Sequence, residues 1–464
     1  MQKKKAISLI VLVITIIVMI ILASAIIMSL DNANIFNKAE AATDKYTGTQ
    51  EKQKIQIAVL NAAEMGGVNE INLTESLNEE FNEGWEYFTK AEDYCVVRVK
   101  SSQRKYEIGF EGKTEEYQET EIITDKSFFK YSGNTITGLS EYGKETLTGL
   151  AGKNVKLVIP EGFTSLSKLY TDNPTSLDNL KNLSIYAEYI TSIYNQAFQG
   201  CKSLVSIYAP NVTKTNTFVF AECTNLTNVY MPQLIDVKAS SFWKCTNLIN
   251  VDVSAATIVE YGAFRQCKSL VDISIPNVTT IEGGAFGNCE SLTNAYMPKV
   301  VEMSGECTFE GCTNLTNVDI SNITTIGGAA FRYCKNLISV ETKSLTTVES
   351  NAFHSCTKLS NIDLSKVTSI GGYAFFNCAS LTSADLSNAT TIGEKAFYLC
   401  TNLANIKFSK LESVGNYSFN GNYNGEIIIN YTGTMEEWGQ ITRVEGNSTL
   451  TKAKIICSDG TINE

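Results

Sequence analysis

Histidine is almost absent from the sequence, since His354 is the single one among 464 residues. Catalysis by a serine or cysteine nucleophile ordinarily needs a histidine base. Phosphate-binding glycine loops, Cys-x-x-Cys pairs and His-Glu-x-x-His are missing as well. His354 stands where other units of the chain have arginine, glycine or an aromatic residue, which indicates a variable surface position. We therefore predict a non-enzymatic protein without a cofactor, and a carboxylate-based polysaccharide hydrolase is the alternative that remains.

Basic residues are also scarce. The 38 lysines and arginines are outnumbered by 49 aspartates and glutamates, which gives a formal net charge of −11. A nucleic-acid-binding surface needs a dense basic patch, and here the basic residues are spread thinly. The composition therefore argues against nucleic acid as a partner. The length points to several domains or to a linear repeat array, because it exceeds one ordinary core.

One long apolar run stands out from this polar background. Residues 6–30 contain no charged side chain. Three lysines precede them at residues 3–5, and an aspartate follows them. About 20 apolar residues cross a bilayer, and flanking lysines stay on the inner side. We therefore predict a single-pass membrane protein with most of its chain on the cell surface. A cleaved signal peptide is the alternative, since residues 23–25 read Ala-Ser-Ala.

The stretch KKKAISLIVLVITIIV also resembles the amino terminus of prepilins, in which a basic leader precedes a long apolar helix. Ala6 stands where that family has glycine, Ile7 where it has an aromatic residue, and Val11 where it has glutamate. The resemblance covers residues 1–30. It implies an alternative function, a pilin-like subunit of a type IV pilus or pseudopilus that displays the rest of the chain.

Residues 31–130 are predicted to connect this segment to the rest of the chain. Residues 31–67 contain two helical patterns, which indicate a stalk. Residues 68–130 contain a short helical pattern and the segment YCVVRVKSSQRKYEIGFEG, which alternates on both sides of a polar turn. That alternation predicts a hairpin of two strands, so we expect a small, pilin-like α+β region.

The remainder of the chain is repetitive. Phenylalanine recurs every 22 residues with one interval of 23, and cysteine follows three residues later in all units but the last. Leu-x-x-apolar-x-apolar comes next in most units, then a second apolar pair such as Val278 and Ile281. The phenylalanines are Phe198, Phe220, Phe242, Phe264, Phe286, Phe309, Phe331, Phe353, Phe375, Phe397 and Phe419. The cysteines are Cys201, Cys223, Cys245, Cys267, Cys289, Cys312, Cys334, Cys356, Cys378 and Cys400.

This period predicts a leucine-rich-repeat solenoid, mainly β and irregular, with about 11 repeats and one parallel strand per repeat on one face. Equivalent residues of stacked coils lie about 4.8 Å apart, so each repeated position becomes a column. We therefore predict a structural phenylalanine column and a structural ladder of buried, free thiols. Some disulfides are the alternative, because this spacing permits bridges. No metal is expected, since the cysteine spacing of zinc sites is missing.

The motif AFxxCxxLxxI with VTTIG resembles the BspA-like, or Treponema-type, leucine-rich repeats of bacterial surface proteins. The resemblance begins near NTITGLSEYGKETLTGL and ends in INYTGTMEEWGQI and IICSDGTINE, which are similar to a closing cap. It implies a solenoid with its amino-terminal cap over residues 131–424 and a carboxy-terminal cap over residues 425–464. Tyr431, Trp438 and Cys457 are expected to seal that cap. The implied function is a membrane-anchored scaffold for adhesion to an extracellular protein or glycan.

The strand pattern also predicts a ligand face. The residue between the last two apolar positions of each strand must point away from the core. Its candidate residues are Tyr208, Tyr230, Tyr296, Asp319, Glu341, Asp363 and Asp385. Tyrosines are common binding hot spots, and the acidic row would attract a basic partner or calcium. The alternative is that these residues are solvated and serve solubility.

Overall fold

The structure is a computed structural model. It describes residues 58, 77–78, 81, 85–90, 94–99, 105–109, 114–116, 120–170, 174–194, 196–421, 427–443, 450 and 453–462. The chain divides into two compact units, Met1–Glu119 and Thr120–Glu464. The expected membrane span and prepilin-like start lie outside the described residues. Within the ranges given above, no helix combines the length and the apolar character that a membrane crossing requires.

The described part of the first unit contains an antiparallel sheet. Its strands are β1 (Trp85–Lys90), β2 (Tyr94–Val99), β3 (Lys105–Gly109) and β4 (Thr114–Glu116), in that order across the sheet. Strands β2 and β3 pair from Tyr94 with Gly109 to Arg98 with Lys105, so the hairpin predicted from the alternating sequence is confirmed.

The second unit opens with a cap of mixed structure. Its elements are β5 (Thr120–Ile123), a 3₁₀ helix (Lys126–Phe128), β6 (Phe129–Ser132), β7 (Thr135–Leu139), α1 (Glu141–Gly149), β8 (Asn154–Val158), β9 (Ser165–Leu166), α2 (Pro174–Asp178), β10 (Asn182–Tyr186) and β11 (Ser192–Ile193). Ser140 caps α1 by accepting a hydrogen bond from the Gly143 backbone. Buried rings of Phe128, Phe129 and Phe163 close this end of the core. Strand β5 already pairs with β8, so the sheet begins at Thr120, ahead of residue 131.

Each repeat then adds one strand to each of two parallel rows. The strands are β12 (Leu204–Tyr208), β13 (Lys214–Thr215), β14 (Asn228–Tyr230), β15 (Asp236–Val237), β16 (Asn250–Asp252), β17 (Ile258–Val259), β18 (Asp272–Ser274), β19 (Thr280–Ile281), β20 (Asn294–Tyr296), β21 (Glu302–Met303), β22 (Asn317–Asp319), β23 (Thr325–Ile326), β24 (Ser339–Glu341), β25 (Thr347–Val348), β26 (Asn361–Ile362), β27 (Ser369–Ile370), β28 (Ser383–Leu386), β29 (Thr391–Ile392), β30 (Asn405–Phe408) and β31 (Ser413–Val414). Even-numbered strands form the first row and odd-numbered strands form the second. Pairing runs at the repeat period, as with Val229 and Val251 or Val259 and Ile281. The predicted parallel solenoid is therefore confirmed, and the second row is an addition to it.

The segment around each phenylalanine is a stacked turn rather than the brief helix that its length would allow. Two residues of every unit have left-handed backbone, as Asn351 (φ 60°) and Ser355 (φ 61°) do on either side of Phe353. The N–H groups of these three residues donate to carbonyl oxygens of the next repeat, at 2.9, 2.7 and 2.7 Å. Left-handed backbone is unfavourable for most residues. Here it turns alternate N–H groups along the solenoid axis, and the resulting hydrogen bonds offset its cost.

The carboxy-terminal elements close the other end of the solenoid. They are β32 (Ile428–Tyr431), α3 (Met435–Gln440), β33 (Thr442–Arg443), β34 (Lys454–Cys457) and β35 (Gly460–Ile462). Strand β35 pairs antiparallel with β34 and so ends the parallel row. Trp438 lies 6.1 Å from Phe408 and 5.3 Å from Tyr431, between ring centroids, and all three are buried. Cys457 is buried as well.

Candidate functional site

The phenylalanine column forms the centre of the solenoid core. Each ring stacks on the ring of the next repeat, with centroids 5.0–5.5 Å apart and planes within 12° of parallel. All eleven side chains are at most 1% exposed. The column is therefore part of the packing and offers nothing to a ligand.

The cysteine ladder runs beside this column. All ten side chains are buried and free, and from Cys223 onward each thiol donates to the carbonyl oxygen of the phenylalanine one repeat earlier. The sulfur–oxygen distances are 3.0–3.1 Å. Burial raises the pKa of the Cys400 thiol to about 12. Spacing alone shows that these thiols share a column, but their common acceptor depends on the turn geometry.

The predicted ligand face divides into two parts, of which the first is aromatic. Tyr208 stacks on Tyr230 at 5.1 Å, and the structure adds Tyr186, whose ring centroid lies 5.3 Å from that of Tyr208. These three tyrosines are 38–41% exposed. Lys156 covers the outer face of Tyr186, with its Nζ 3.6 Å from the ring centroid. Tyr296 is 60% exposed and lies apart from this stack, beside Ser274.

The stacking determines what the tyrosines present to a partner. Both faces of Tyr208 are covered, one by Tyr186 and the other by Tyr230. A sugar ring packs on the face of an aromatic ring, and this surface instead presents ring edges and hydroxyl groups. The stacked tyrosines therefore offer a partner ring edges in place of flat aromatic faces. We name Tyr186, Tyr208 and Tyr230 the tyrosine ribbon.

The acidic part of the same column has a structural task. In several units the aspartate accepts a hydrogen bond at 2.9–3.1 Å from the backbone N–H of a serine two residues later. The pairs are Asp252 with Ser254, Asp319 with Ser321, Asp363 with Ser365, and Asp385 with Ser387. Side-chain and backbone hydrogen bonds from Ser321 hold the pKa of the Asp319 carboxyl below its usual range. This is an Asx turn, which ends the strand.

The aromatic and acidic segments follow from this turn chemistry. Where the column carries Tyr208, Tyr230 or Tyr296, the residue two positions later is proline. Proline has no backbone N–H group to be satisfied. The residue two positions earlier therefore does not need a side chain that accepts a hydrogen bond. The signal was present in the sequence as Tyr-x-Pro and Asp-x-Ser. Glu341 is exposed, and among the described residues its carboxylate accepts no such hydrogen bond from Lys343, two residues later.

A calcium site finds no support in the described chain. No group of three or more acidic, cysteine or histidine side chains comes close enough there to hold a metal ion. Asp385 also lies 3.5 Å from the ammonium group of Lys407. The carboxylates of this row therefore lie side by side along the solenoid and do not converge.

His354 is more enclosed than the expected surface position. Its half-buried ring stacks on Phe376 at 4.6 Å and meets the edge of Tyr333 at 5.5 Å. Burial, followed by the charge of Arg332, lowers the pKa of His354. Neighbouring repeats also carry rings beside this position, and together they cover part of the imidazole. The side chain therefore serves packing in an aromatic stack.

Two of the cavities in the described chain lie where the repeat is longer by one residue. One has a volume of about 440 Å³ and is lined in part by Glu306, Cys307 and Glu349. The other, of about 290 Å³, is lined in part by Gly305 and shares Glu349. Repeat periodicity alone did not point to these cavities, although the 23-residue interval marks their place.

The stacked turns, the two strand rows and the end caps define a leucine-rich-repeat solenoid with an exposed face. The family model described as BspA type Leucine rich repeat region matches in six copies, over residues 175–276, 236–344 and 324–440. Together these matches span 266 of the 464 residues. The chain therefore belongs to the BspA-type leucine-rich-repeat family.

Several solved structures are similar in fold. A leucine rich cell surface protein from Faecalibacterium prausnitzii A2-165 has 19% identity over 77% of this chain and 97% of its own, with a TM-score of 0.36. The T. pallidum leucine rich repeat protein TpLRR has 18% identity over 55% and 89%, with a TM-score of 0.31. The pneumococcal vaccine antigen PcpA has 12% identity over 78% and 98%, with a TM-score of 0.39. No curated protein matches the chain.

Proposed function

We propose that this protein is a bacterial cell-surface binding scaffold that holds an extracellular protein against its tyrosine ribbon. The supporting observation is the continuous, exposed stack of Tyr186, Tyr208 and Tyr230 on the strand face. Tyrosines are frequent hot spots of protein interfaces because one rigid ring buries much area and carries a polar group. Members of this repeat family are typically surface-exposed and typically act as non-enzymatic scaffolds.

The geometry favours a protein over a glycan as ligand. Ring edges and hydroxyl groups can pack against apolar side chains and bind backbone carbonyl groups. The stack also holds its rings in place before binding, which reduces the entropy that complex formation costs. A membrane anchor at residues 6–30 and outward display of the repeats belong to the same proposal.

The ribbon can be tested by replacement of its three rings. A Tyr186→Ser, Tyr208→Ser, Tyr230→Ser variant of the protein should lose binding to protein-array targets that the parent captures. The matched control is Tyr296→Ser, which removes an exposed tyrosine of the same column outside the stack. If the triple variant kept its binding and unfolded at the same temperature as the parent, the binding site would lie outside the tyrosine ribbon. Capture of glycan-array targets alone would contradict a protein ligand.

The amino terminus decides between an anchored scaffold and the alternative, a pilin-like subunit that displays the repeats. Mass spectrometry of the mature protein separates them. A retained leader, with residues 1–30 present, is expected for the anchor. A new terminus at Ile7 would instead support the pilin-like subunit. Nothing in the described residues favours the hydrolase alternative, and we do not propose it.

A further inference from the structure

The longer repeat carries its extra residue as a glycine bulge. Gly305 has φ of +91°, and a Cβ atom there would lie 3.0 Å from the backbone of Gly283. A Cβ atom on Gly327 would lie 2.3 Å from the Gly305 carbonyl oxygen. Glycines on both neighbouring repeats therefore make room for the bulge. The 440 Å³ cavity lies next to the bulge, and its lining includes Glu306 and Cys307, which follow the bulge, and Gly328 from the next repeat.

The floor and walls of this cavity are polar. Thr347 and Ser369 belong to β25 and β27 of the second strand row, and Ser350 and Asn351 follow in the turn. The side chains of Thr347, Ser350 and Asn351 have no hydrogen-bond partner among the described residues. The cavity therefore presents hydroxyl and amide groups that are ready to bind a ligand rich in hydroxyls. Its volume falls within the range of about 300–1,000 Å³ that is typical of small-molecule sites.

The charge of the lining is negative. The lining holds two carboxylates, Glu306 and Glu349, and one guanidinium, Arg332, which donates to Glu310 from both Nε and a terminal nitrogen. Glu310 also lies 3.8 Å from Arg265, which is not part of the lining. Glu349 accepts one hydrogen bond from the Gly328 backbone at 2.9 Å. The Glu306 carboxylate has neither an ion pair nor a hydrogen bond with any described residue.

We propose that this cavity binds an amino sugar, either free or at the end of a glycan. The ammonium group pairs with Glu306 and Glu349, and the sugar hydroxyls bind Thr347, Ser350 and Asn351. A ligand with charge alone would leave the hydroxyl groups of the cavity unmatched, and a neutral sugar would leave both carboxylates unpaired. The site lies beside the second strand row, whereas the tyrosine ribbon lies on the first. It is therefore independent of the proposed protein ligand.

Calorimetry on the full chain tests the ligand class. Glucosamine and its β-1,4-linked trimer should bind at least tenfold more tightly than glucose, N-acetylglucosamine or butylamine. Tighter binding of the trimer than of glucosamine would indicate a glycan as the source, and equal binding would indicate the single sugar. Binding of butylamine as tight as that of glucosamine, or no binding of glucosamine at millimolar concentration, would overturn the proposal.

Variants test the position. Glu306→Gln and Glu349→Gln should each weaken glucosamine binding at least tenfold, while the new amide oxygen in Glu349→Gln can still accept the Gly328 hydrogen bond. Glu412→Gln, an exposed carboxylate outside the lining, is the matched control and should bind as the parent does. Cys307 provides a second readout, because its half-buried thiol is in the cavity wall. Glucosamine should slow maleimide labelling of the Cys307 peptide. If the labelling rate stays the same and Glu306→Gln binds glucosamine as tightly as the parent does, the ligand lies elsewhere.

Discussion

Phe286 shows what one side chain contributes to the core. Its ring lies 5.4 Å from that of Phe264 and 5.2 Å from that of Phe309, and none of it is exposed. Truncation would remove apolar contacts with both neighbouring repeats and leave a cavity that the fixed turns cannot close. The effect of this residue on stability therefore extends over three repeats.

Phe286→Ala should lower the free energy of unfolding by about 3–5 kcal/mol, which is the usual cost of such a truncation. Urea unfolding followed by circular dichroism measures it. Tyr296→Ala serves as the control, because its exposed ring lies outside the core and should change stability little. An equal loss of stability in the two variants would mean that the column is not the centre of the packing.

Asp319 links stability to pH. Because Ser321 lowers its pKa in the folded state, the carboxylate stabilises the fold above its unfolded pKa, about 3.9. That contribution is lost as the pH falls through the lower folded pKa. Asp319→Asn should therefore destabilise the protein by roughly 0.5–1 kcal/mol at neutral pH and by progressively less below about pH 4. Denaturant unfolding at a series of pH values gives the profile.

The control for Asp319 lies on the adjacent rung of the same column. Glu341 pairs in register with Asp319 and is not part of an Asx turn. Glu341→Gln relieves the same repulsion between neighbouring carboxylates, so it should not lower stability at neutral pH. If both variants behaved alike, repulsion rather than the turn hydrogen bond would account for the effect.

At the scale of elements, the glycine bulge depends on close backbone approach. Gly327→Ala would press a methyl group against the Gly305 carbonyl oxygen, at 2.3 Å before any adjustment. Overpacking of this kind typically costs about 1–3 kcal/mol, and thermal or urea unfolding should show a loss of that size. Gly439→Ala is the control, since a Cβ atom there meets nothing within 4 Å. If Gly327→Ala lost no more stability than Gly439→Ala, the bulge would be able to shift and accommodate the methyl group.

The sequence predicted the elements that recur and missed those that depend on local geometry. Phe286 and Cys289 could be assigned to the core because one residue type returns at each period. The second strand row was missed because two-residue strands such as β19 are too short to show alternation. The bulge at Gly305 could be located by its 23-residue interval. The cavity beside it could not be predicted, because it depends on which backbone atoms of neighbouring repeats come close to each other.

The candidate ligand face was predicted in position and only partly in character. Alternation in the strand places Tyr208 and Asp319 on the outer surface, and both are exposed. Alternation does not specify side-chain orientation, so the face-to-face stack of Tyr186, Tyr208 and Tyr230 could not be predicted. The role of Asp319 was open to prediction, since Ser321 follows at the distance that an Asx turn requires.

At the scale of the whole molecule, the second unit is a one-dimensional stack whose repeats contact their neighbours. Damage at one end should therefore spread only a few repeats along the axis. Trp438 packs against Tyr431 and Phe408 and covers the last repeats. Trp438→Ala should speed backbone hydrogen exchange in β28 and β30 while β10 and β12 keep the protection of the parent.

The control for this gradient is the same measurement on the opposite end. Phe128→Ala removes a buried ring from the amino-terminal cap and should reverse the gradient, with β8 exposed to exchange before β30. Uniform acceleration throughout residues 120–462 in both variants would instead show that the solenoid unfolds as one cooperative unit.

Because the repeats pair at a constant period, the length of the solenoid can change while the contacts between repeats stay the same. Every column meets the same partner one repeat later, so insertion or loss of a complete unit leaves each interior contact matched. Each such event would lengthen or shorten the solenoid by about 4.8 Å, the spacing between strands. Variants of this protein with different repeat numbers should therefore carry the same core and the same caps, while the distance between the two caps changes in equal steps.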